Sequence, residues 1–243
     1  MTLKEIERRL RALKAMGYVP TVRHGSTGVG HTFEQKMGLT ETNIPIPDIG
    51  GRVEIKTTRK DSASLVTLFC FNRGVWHISQ KDLIEKYGYV DDAGRKALKN
   101  TVYAGRQISQ GLSLLIDDLN NKVSLIDENG TSLATWDVFV MVGKLMSKLS
   151  SVLFVIADRR FDANGEEEFL YSEAHILTTP IPRNFINAFK SGKVGIDLRM
   201  HLKETSSVRN RGTAFRIKEI DLWDLYSNIR NLGIYPFSRF FER

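Results

Sequence analysis

The chain has 243 residues, 35 Lys and Arg against 28 Asp and Glu, a net charge of +7 and one cysteine. Apolar residues make up 42% of it, and its longest strongly apolar runs fall far short of the roughly 20 residues that a membrane-spanning helix needs. These features exclude a disordered chain, a membrane-spanning helix and an internal disulfide. We expect a globular protein of the reducing cytoplasm, and the excess of positive charge favours a polyanionic partner.

The spacing of apolar residues predicts a mixed α/β (α+β) fold in which helices and strands are interspersed. Thr2 and Glu5 form a capping box before the first helix, and Gly17 is a natural stop for it. The predicted helices are residues 3–16, 32–37, 79–87, 94–102, 137–149, 182–190 and 220–232. The predicted strands are residues 53–57, 65–71, 112–116, 123–126, 132–136, 152–157, 169–177, 193–203 and 213–217.

A glycine-rich stretch at residues 25–30 precedes the second predicted helix. The amide groups at the entry of a helix can hold a phosphate, which makes Gly28 and Gly30 candidates for contact with a DNA backbone. A loop without a ligand accounts for the glycines about as well, so both interpretations stay open.

The strongest candidate for a chemical site is Asp48, Glu54 and Lys56. Residues two apart on a strand point to the same face, so Glu54 and Lys56 present a carboxylate and an ammonium group side by side. The two glycines of the turn at residues 50–51 can fold Asp48 back beside Glu54. Two carboxylates bind a hard divalent cation such as Mg²⁺, and an adjacent lysine can orient an attacking water. The pattern indicates phosphodiester hydrolysis, with Glu34 as a fourth member of the site.

The same pattern has a simpler interpretation. A Glu-x-Lys triplet is common, and the chain contains a second one at residues 34–36. An alternating strand can also be a solvated face that carries a cross-strand ion pair. The three residues alone therefore leave a nuclease and an ordinary sheet surface both open.

A second group of polar residues follows the predicted strand 193–203 and the loop after it. Asp197, Arg199 and His201 alternate with apolar residues and thus share one face. Arg can bind the O6 and N7 atoms of guanine, and Asp can accept from the N4 atom of cytosine, so this face suits reading of the DNA major groove. A solvated face with a basic loop is the alternative. The candidate DNA-binding residues of this region are Asp197, Arg199, His201, Arg209, Arg211 and Arg216.

Several segments, in the same order along nearly the whole chain, resemble the MvaI and BcnI family of type II restriction endonucleases. The segments are residues 27–34 (TGVGHTFE), 47–48 (PD), 53–56 (VEIK), 65–69 (LVTLF), 133–137 (LATWD), 194–199 (VGIDLR) and 211–217 (RGTAFRI). One departure is Arg209-Asn210, where members of the family tend to carry His-Asp. This departure puts the base preference, and not the catalytic set, in question.

The resemblance implies a PD-(D/E)xK nuclease core similar to that of the MutH nickase, with a mixed sheet flanked by helices in a two-lobed clamp. It implies Asp48 and Glu54 as ligands of one or two Mg²⁺ ions, Lys56 as the catalytic lysine and Glu34 as a supporting glutamate. It also implies a monomer that acts on double-stranded DNA at short sites of the CC-N-GG kind.

We therefore expect a catalytic lobe at about residues 1–100 and a DNA-recognition lobe at about residues 101–243. The expected function is that of a Mg²⁺-dependent type II restriction endonuclease that leaves a 5′-phosphate. A cognate DNA methyltransferase is expected in the same system, but not as a stable subunit. Two alternatives remain, a MutH-like strand-nicking enzyme of mismatch repair and a DNA-binding module without catalysis.

Overall fold

The computed structural model describes residues 2–39, 47–60, 65–71 and 75–232. The helices are α1 (Leu3–Ala15), α2 (Gly28–Lys36), α3 (Gln80–Tyr87), α4 (Val138–Lys148), α5 (Pro182–Lys190) and α6 (Glu219–Leu222). The strands are β1 (Val19–Pro20), β2 (Glu54–Arg59), β3 (Leu65–Cys70), β4 (Tyr89–Val90), β5 (Lys96–Leu98), β6 (Thr101–Val102), β7 (Ser113–Asp117), β8 (Lys122–Ile126), β9 (Ser132–Asp137), β10 (Ser151–Phe161), β11 (Glu167–Pro180), β12 (Val194–Asp197), β13 (Met200–Leu202), β14 (Val208–Asn210), β15 (Ala214–Lys218) and β16 (Tyr226–Asn231). None of these helices is long and apolar enough to cross a membrane.

The chain forms two compact units. Unit 1 comprises Met1–Ser64, Ser147–Pro180 and Tyr226–Arg243, and unit 2 comprises Leu65–Met146 and Ile181–Leu225. The chain thus passes from one unit to the other four times, with one passage inside α4. The segments of the two units alternate along the chain because strands that pair in one sheet come from distant parts of the sequence. The expected lobes, at about residues 1–100 with possible later segments and about residues 101–243, stay a prediction.

Unit 1 is built on a mixed sheet of five strands in the order β1-β11-β10-β2, with β16 also paired to β11. Strands β10 and β2 are parallel, with Glu54 opposite Val152 and Lys56 opposite Phe154. The other pairs are antiparallel. One face of this sheet packs against α1 and α2 to form a hydrophobic core, and Ile55 belongs to that face. Because side chains alternate along a strand, Glu54 and Lys56 lie on the opposite face.

Unit 2 contains three smaller sheets. Their strand orders are β3-β15-β12-β6, β14-β13-β5-β4 and β7-β8-β9. Aromatic side chains fill its core: the rings of Phe69 and Phe215 stack with centroids 4.8 Å apart, and Trp136 meets Phe215 edge-on at 6.1 Å. The third sheet is the meander that the sequence predicts between residues 112 and 136.

Several local predictions are confirmed. Thr2 Oγ1 accepts from the backbone N–H of Glu5 and caps α1. Helix α5 has the predicted bounds, and the buried strand predicted at residues 152–157 is the buried part of β10. The prediction of a mixed α+β fold is confirmed as well.

Three predictions of regular structure are wrong. Residues 94–102 form β5 and β6 instead of a helix, because β5 pairs with both β4 and β13 and this pairing outweighs helix propensity. The strand predicted at residues 193–203 is broken into β12 and β13, which belong to different sheets. Only the first turn of the helix predicted at residues 220–232 forms, as α6; the later residues become β16 and pair with β11.

Helix α2 begins at Gly28, inside the glycine-rich stretch, and not at residue 32. A side chain at Gly28 would overlap the carbonyl oxygen of Arg23, and one at Gly30 would lie 3.0 Å from Thr57 Oγ1 on β2. The two glycines therefore allow this helix to approach its neighbours closely, as the sequence interpretation did not foresee.

We predict that Gly28→Ala lowers the free energy of unfolding by about 1–3 kcal/mol, because the added methyl group has no room beside Arg23. Gly143→Ala in α4 is the matched control: its methyl group meets nothing within 4 Å. Alanine is the better helix former by about 1 kcal/mol, so this control should be neutral or stabilising. Denaturant unfolding monitored by circular dichroism measures both. Equal losses of stability would contradict the packing role.

Candidate active site

Strand β2 presents two predicted catalytic side chains at the end of the sheet of unit 1. The Glu54 side chain is buried, with 3% of the residue exposed. Its Oε1 accepts a hydrogen bond from Lys56 Nζ at 2.6 Å. A second lysine, Lys148 at the end of α4, places its Nζ 3.3 Å from the same oxygen. One carboxylate oxygen thus binds two ammonium groups.

The other carboxylate oxygen of Glu54, Oε2, is buried and accepts no hydrogen bond from the described residues. Burial of a charged oxygen without a partner is costly. A divalent cation is a partner of the required charge, and carboxylate oxygens are ligands that Mg²⁺ prefers. The site therefore fits a hard cation, with Glu54 as one ligand.

Asp48 reaches β2 through the turn that follows it. Gly50 and Gly51 adopt φ values of 57° and 69°, a conformation that favours glycine. The backbone N–H of Ile49 donates to the carbonyl of Val53 at 2.9 Å, which closes the turn. Asp48 Oδ2 then accepts from the backbone N–H of Ile55 at 2.7 Å. The exposed carboxylate of Asp48 is thereby fixed one residue along the strand from Glu54.

Among the described residues, no group of three or more His, Cys, Asp and Glu side chains is placed to hold a metal ion. A cation at Asp48 and Glu54 would take its remaining ligands from water or from a substrate phosphate. Mg²⁺ sites in proteins are often of this kind.

Glu34 lies half-buried on α2. This helix covers the face of β2 that carries Ile55 and Thr57, and not the face of Glu54 and Lys56. The support that Glu34 would give to the site stays a prediction.

Gly28 and Gly30 lie in the first turn of α2. The carbonyls of the preceding loop are held by Arg59, which donates to Gly25 O at 3.0 Å and to Ser26 O at 3.3 Å. Arg59 is itself fixed by two hydrogen bonds to the Glu167 carboxylate. Close packing accounts for the two glycines, and their contact with DNA stays a prediction.

The sequence did not predict that Lys148 and Tyr226 lie near Glu54. The hydroxyl of Tyr226 donates to the carbonyl of Leu149 at 3.0 Å and so fixes the chain next to Lys148. Burial raises the pKa of Tyr226, and the nearby charge of Glu54 raises it further. The sequence gives only a partial signal for Lys148, which is that it is a cation in the last turn of a predicted helix.

The predicted DNA-reading residues of unit 2 do not share one face, because the predicted strand is broken. Asp197 ends β12 and His201 lies in β13. Asp197 is buried and accepts from Arg216 Nη1 at 2.9 Å and from Thr101 Oγ1 at 3.3 Å. Arg216 is half-buried and also donates to Leu65 O at 2.9 Å. These two candidates therefore bind each other.

Arg199 organises the loop that follows β14. Its Nε donates to Gly212 O at 2.7 Å and its Nη2 donates to Arg211 O at 3.0 Å. Nη2 also lies 3.1 Å from the sulfur of Cys70, which is exposed although its apolar neighbours in sequence predict a core position. Arg209 and Arg211 are exposed, so they are the candidates of this region whose side chains are open to a ligand.

A mixed sheet whose end strand carries Glu-x-Lys, with an aspartate folded back beside it, defines the class of PD-(D/E)xK nucleases. The solved complex of restriction endonuclease MvaI with its cognate DNA is similar to this chain, with a TM-score of 0.80 and 22% sequence identity over 96% of this chain and 99% of that one. The structure of MvaI without DNA is similar with a TM-score of 0.54 and 23% identity over 96% and 98%.

The model of the MvaI/BcnI restriction endonuclease family matches residues 7–226. The chain therefore belongs to this family and is a site-specific deoxyribonuclease. A search of curated proteins finds no match.

We predict that His201 titrates below its ordinary pKa of 6.5, because burial lowers the pKa and the charges of Arg95 and Lys99 lower it further. The unfolded chain then takes up the proton first, so the contribution of His201 to stability is complete above pH 6.5 and is lost as the pH falls from there to the folded pKa. Titration by NMR measures the midpoint, and His201→Gln should remove that part of the acid sensitivity. A midpoint at or above 6.5 would contradict the prediction.

Proposed function

We propose that this chain is a Mg²⁺-dependent type II restriction endonuclease that hydrolyses double-stranded DNA at a short site of the CC-N-GG kind and leaves a 5′-phosphate. The observation that carries the proposal is the carboxylate of Glu54: it is buried, its Oε1 binds two lysines, and its Oε2 accepts no hydrogen bond from the part of the chain that the structure describes. Family membership and the similarity of the fold to the MvaI–DNA complex support DNA as the substrate.

Asp48 and Glu54 would hold the cation. A bound Mg²⁺ polarises a phosphate oxygen and lowers the pKa of a bound water. The residues of this chain supply positions and charges around that ion. Asp48 is anchored by the amide of Ile55, so its carboxylate has a fixed direction. Lys56 is held by Glu54, and 17% of its side chain is exposed.

The reaction adds water across one P–O bond. The water oxygen bonds to phosphorus, the bond from phosphorus to the 3′-oxygen breaks, and the proton that the water loses is balanced by one taken up at the 3′-hydroxyl. Lys56 would orient the attacking water and stabilise the negative charge that grows on the phosphate oxygens. Glu34 would support this set from α2.

Recognition of the bases falls to unit 2 in this proposal. Arg209 and Arg211 are exposed and can bind phosphate or guanine directly. Asp197 and Arg216 would read a base pair only by giving up their ion pair, and Arg199 would position the loop that carries Arg211. His201 would take part as a neutral side chain, since its pKa is lowered, and Gly28 and Gly30 would lie against the DNA backbone.

We further propose that the enzyme acts as a monomer in the cytoplasm, alongside a cognate DNA methyltransferase that is not a stable subunit. The composition and the family resemblance support these statements. They imply that the purified protein cuts unmodified DNA without any partner.

The decisive experiment is digestion of unmethylated phage DNA with the purified protein, in Mg²⁺ and in EDTA, followed by sequencing of the fragment ends. Discrete fragments that require Mg²⁺ and carry 5′-phosphates are expected, and their ends give the site. Single-strand nicks alone would favour the strand-nicking alternative. Intact DNA in both buffers, with binding retained in EDTA, would favour a module without catalysis.

Lys56→Ala is expected to reduce cleavage by at least about 100-fold, the usual scale for loss of one such group. DNA binding should persist, because the ammonium group acts on the reacting phosphate. Lys60→Ala is the matched control: it removes the same charge from the residue just after β2, where the lysine pairs with Asp158 at 3.3 Å. Cleavage kinetics and gel-shift binding measure the two effects. Full activity of Lys56→Ala would overturn the mechanism.

A further inference from the structure

We propose that Lys148 is a second lysine of the active site, which sets the balance of charge between the metal ion and the scissile phosphate. This inference rests on the proposed function, since it takes Asp48 and Glu54 as the ligands of the cation. It assigns a role to a residue that lies far from the Asp-Glu-Lys motif in the sequence.

The geometry places Lys148 at the same atom as the catalytic lysine. Its Nζ lies 3.3 Å from Glu54 Oε1, and Lys56 Nζ lies 2.6 Å from it. The Lys148 side chain is 33% exposed, against 17% for Lys56 and 4% for Glu54. Lys148 is therefore the more accessible of the two ammonium groups, and a phosphate that approaches Glu54 meets it at the site.

The position of Lys148 is fixed by its surroundings. It is the last residue of α4, and the chain enters β10 at Ser151. Strand β10 runs parallel to β2 with Val152 opposite Glu54. Tyr226 is buried and holds the carbonyl of Leu149 through its hydroxyl. The ammonium group of Lys148 is directed to Glu54 by the end of α4, by the parallel pairing of β10 with β2 and by the hydrogen bond from Tyr226.

The effect of Lys148 on cation binding follows from the number of charged side chains at the site. Asp48 and Glu54 carry two negative charges, and Lys56 and Lys148 carry two positive charges, so the site is neutral before a cation binds. Without Lys148 it would carry one negative charge. Because like charges repel, Lys148 weakens the binding of a divalent cation to the free protein. The same charge attracts the phosphate of the substrate, so Lys148 strengthens the contact with DNA at the reacting phosphate.

A simple structural role leads to the opposite expectation. If Lys148 only capped the end of α4 or steadied Glu54, its loss would loosen the carboxylate and weaken the binding of metal ions. The direction of the change in metal affinity therefore separates the two roles.

The test measures Mn²⁺ binding to the full-length protein without DNA, by calorimetry, for wild type, Lys148→Gln and Lys148→Arg. We expect Lys148→Gln to bind Mn²⁺ about tenfold more tightly, the scale of one unit charge near the site after screening by solvent. Lys148→Arg keeps the charge and should resemble wild type. Lys60→Gln, the control for overall charge, should also resemble wild type.

A second readout uses cleavage of the site identified by digestion. Lys148→Gln should reach half of its maximal rate at a lower Mg²⁺ concentration, while its maximal rate falls because the phosphate loses an ammonium partner. Lys148→Met, which keeps the apolar part of the side chain, provides the same test if the glutamine variant is unstable. Thermal unfolding without metal checks that each variant is folded.

The outcomes separate this inference from the proposed function. If Glu54→Gln loses Mn²⁺ binding while Lys148→Gln keeps the wild-type affinity or binds more weakly, the role of Lys148 is overturned and the metal site stands. If Glu54→Gln binds Mn²⁺ as wild type does, the metal site is wrong, and the proposed function is overturned together with the role of Lys148.

Discussion

The buried carboxylate of Glu54 is the constraint on which the arrangement of unit 1 depends. Removal of a carboxylate from water costs several kcal/mol unless charges and hydrogen bonds offset it. Two lysines supply part of that compensation at Oε1, and Oε2 remains without a partner among the described residues. The end strand that carries Glu54 is held by two further sets of hydrogen bonds. Strand β10 pairs with β2 along one side, and Asp48 binds the amide of Ile55. The residues of the predicted catalytic motif thus also hold the strand in place.

The parts of this site that are local in the sequence could be predicted from it. Glu54 and Lys56 share a face because side chains alternate along any strand. Asp48 returns to the strand because two consecutive glycines permit a turn with positive φ. Helix α1 could be predicted for the same reason, since its cap and its apolar spacing lie within one short segment. In each case the residues that determine the structure are neighbours in the chain.

The predictions that were wrong or missing concern contacts between residues that lie far apart in the sequence. Lys148 reaches Glu54 only because β10 and β2 pair in parallel, which no local pattern reveals. Residues 96–98 favour a helix on their own, yet two neighbouring strands hold them extended. Residues 226–231 become a strand because β11 offers them a partner. The change of sheet between Asp197 and His201 likewise depends on which strands receive β12 and β13, so the alternation seen in the sequence does not describe a single face.

Under the proposed function, the ion pair between Asp197 and Arg216 would influence which base pairs the protein binds. A ligand that binds only one member of a carboxylate–guanidinium ion pair is disfavoured, because the other member would remain charged, part-buried and unpaired. A C·G base pair offers a donor at N4 of cytosine and acceptors at O6 and N7 of guanine, so it can compensate both groups at once. An A·T base pair offers a donor at N6 of adenine and acceptors at N7 of adenine and O4 of thymine, but at different positions in the groove. Under the proposed function, the ion pair would thus lower the affinity for DNA in general and raise the discrimination between sequences, whereas the exposed Arg209 and Arg211 would supply binding that needs no such exchange.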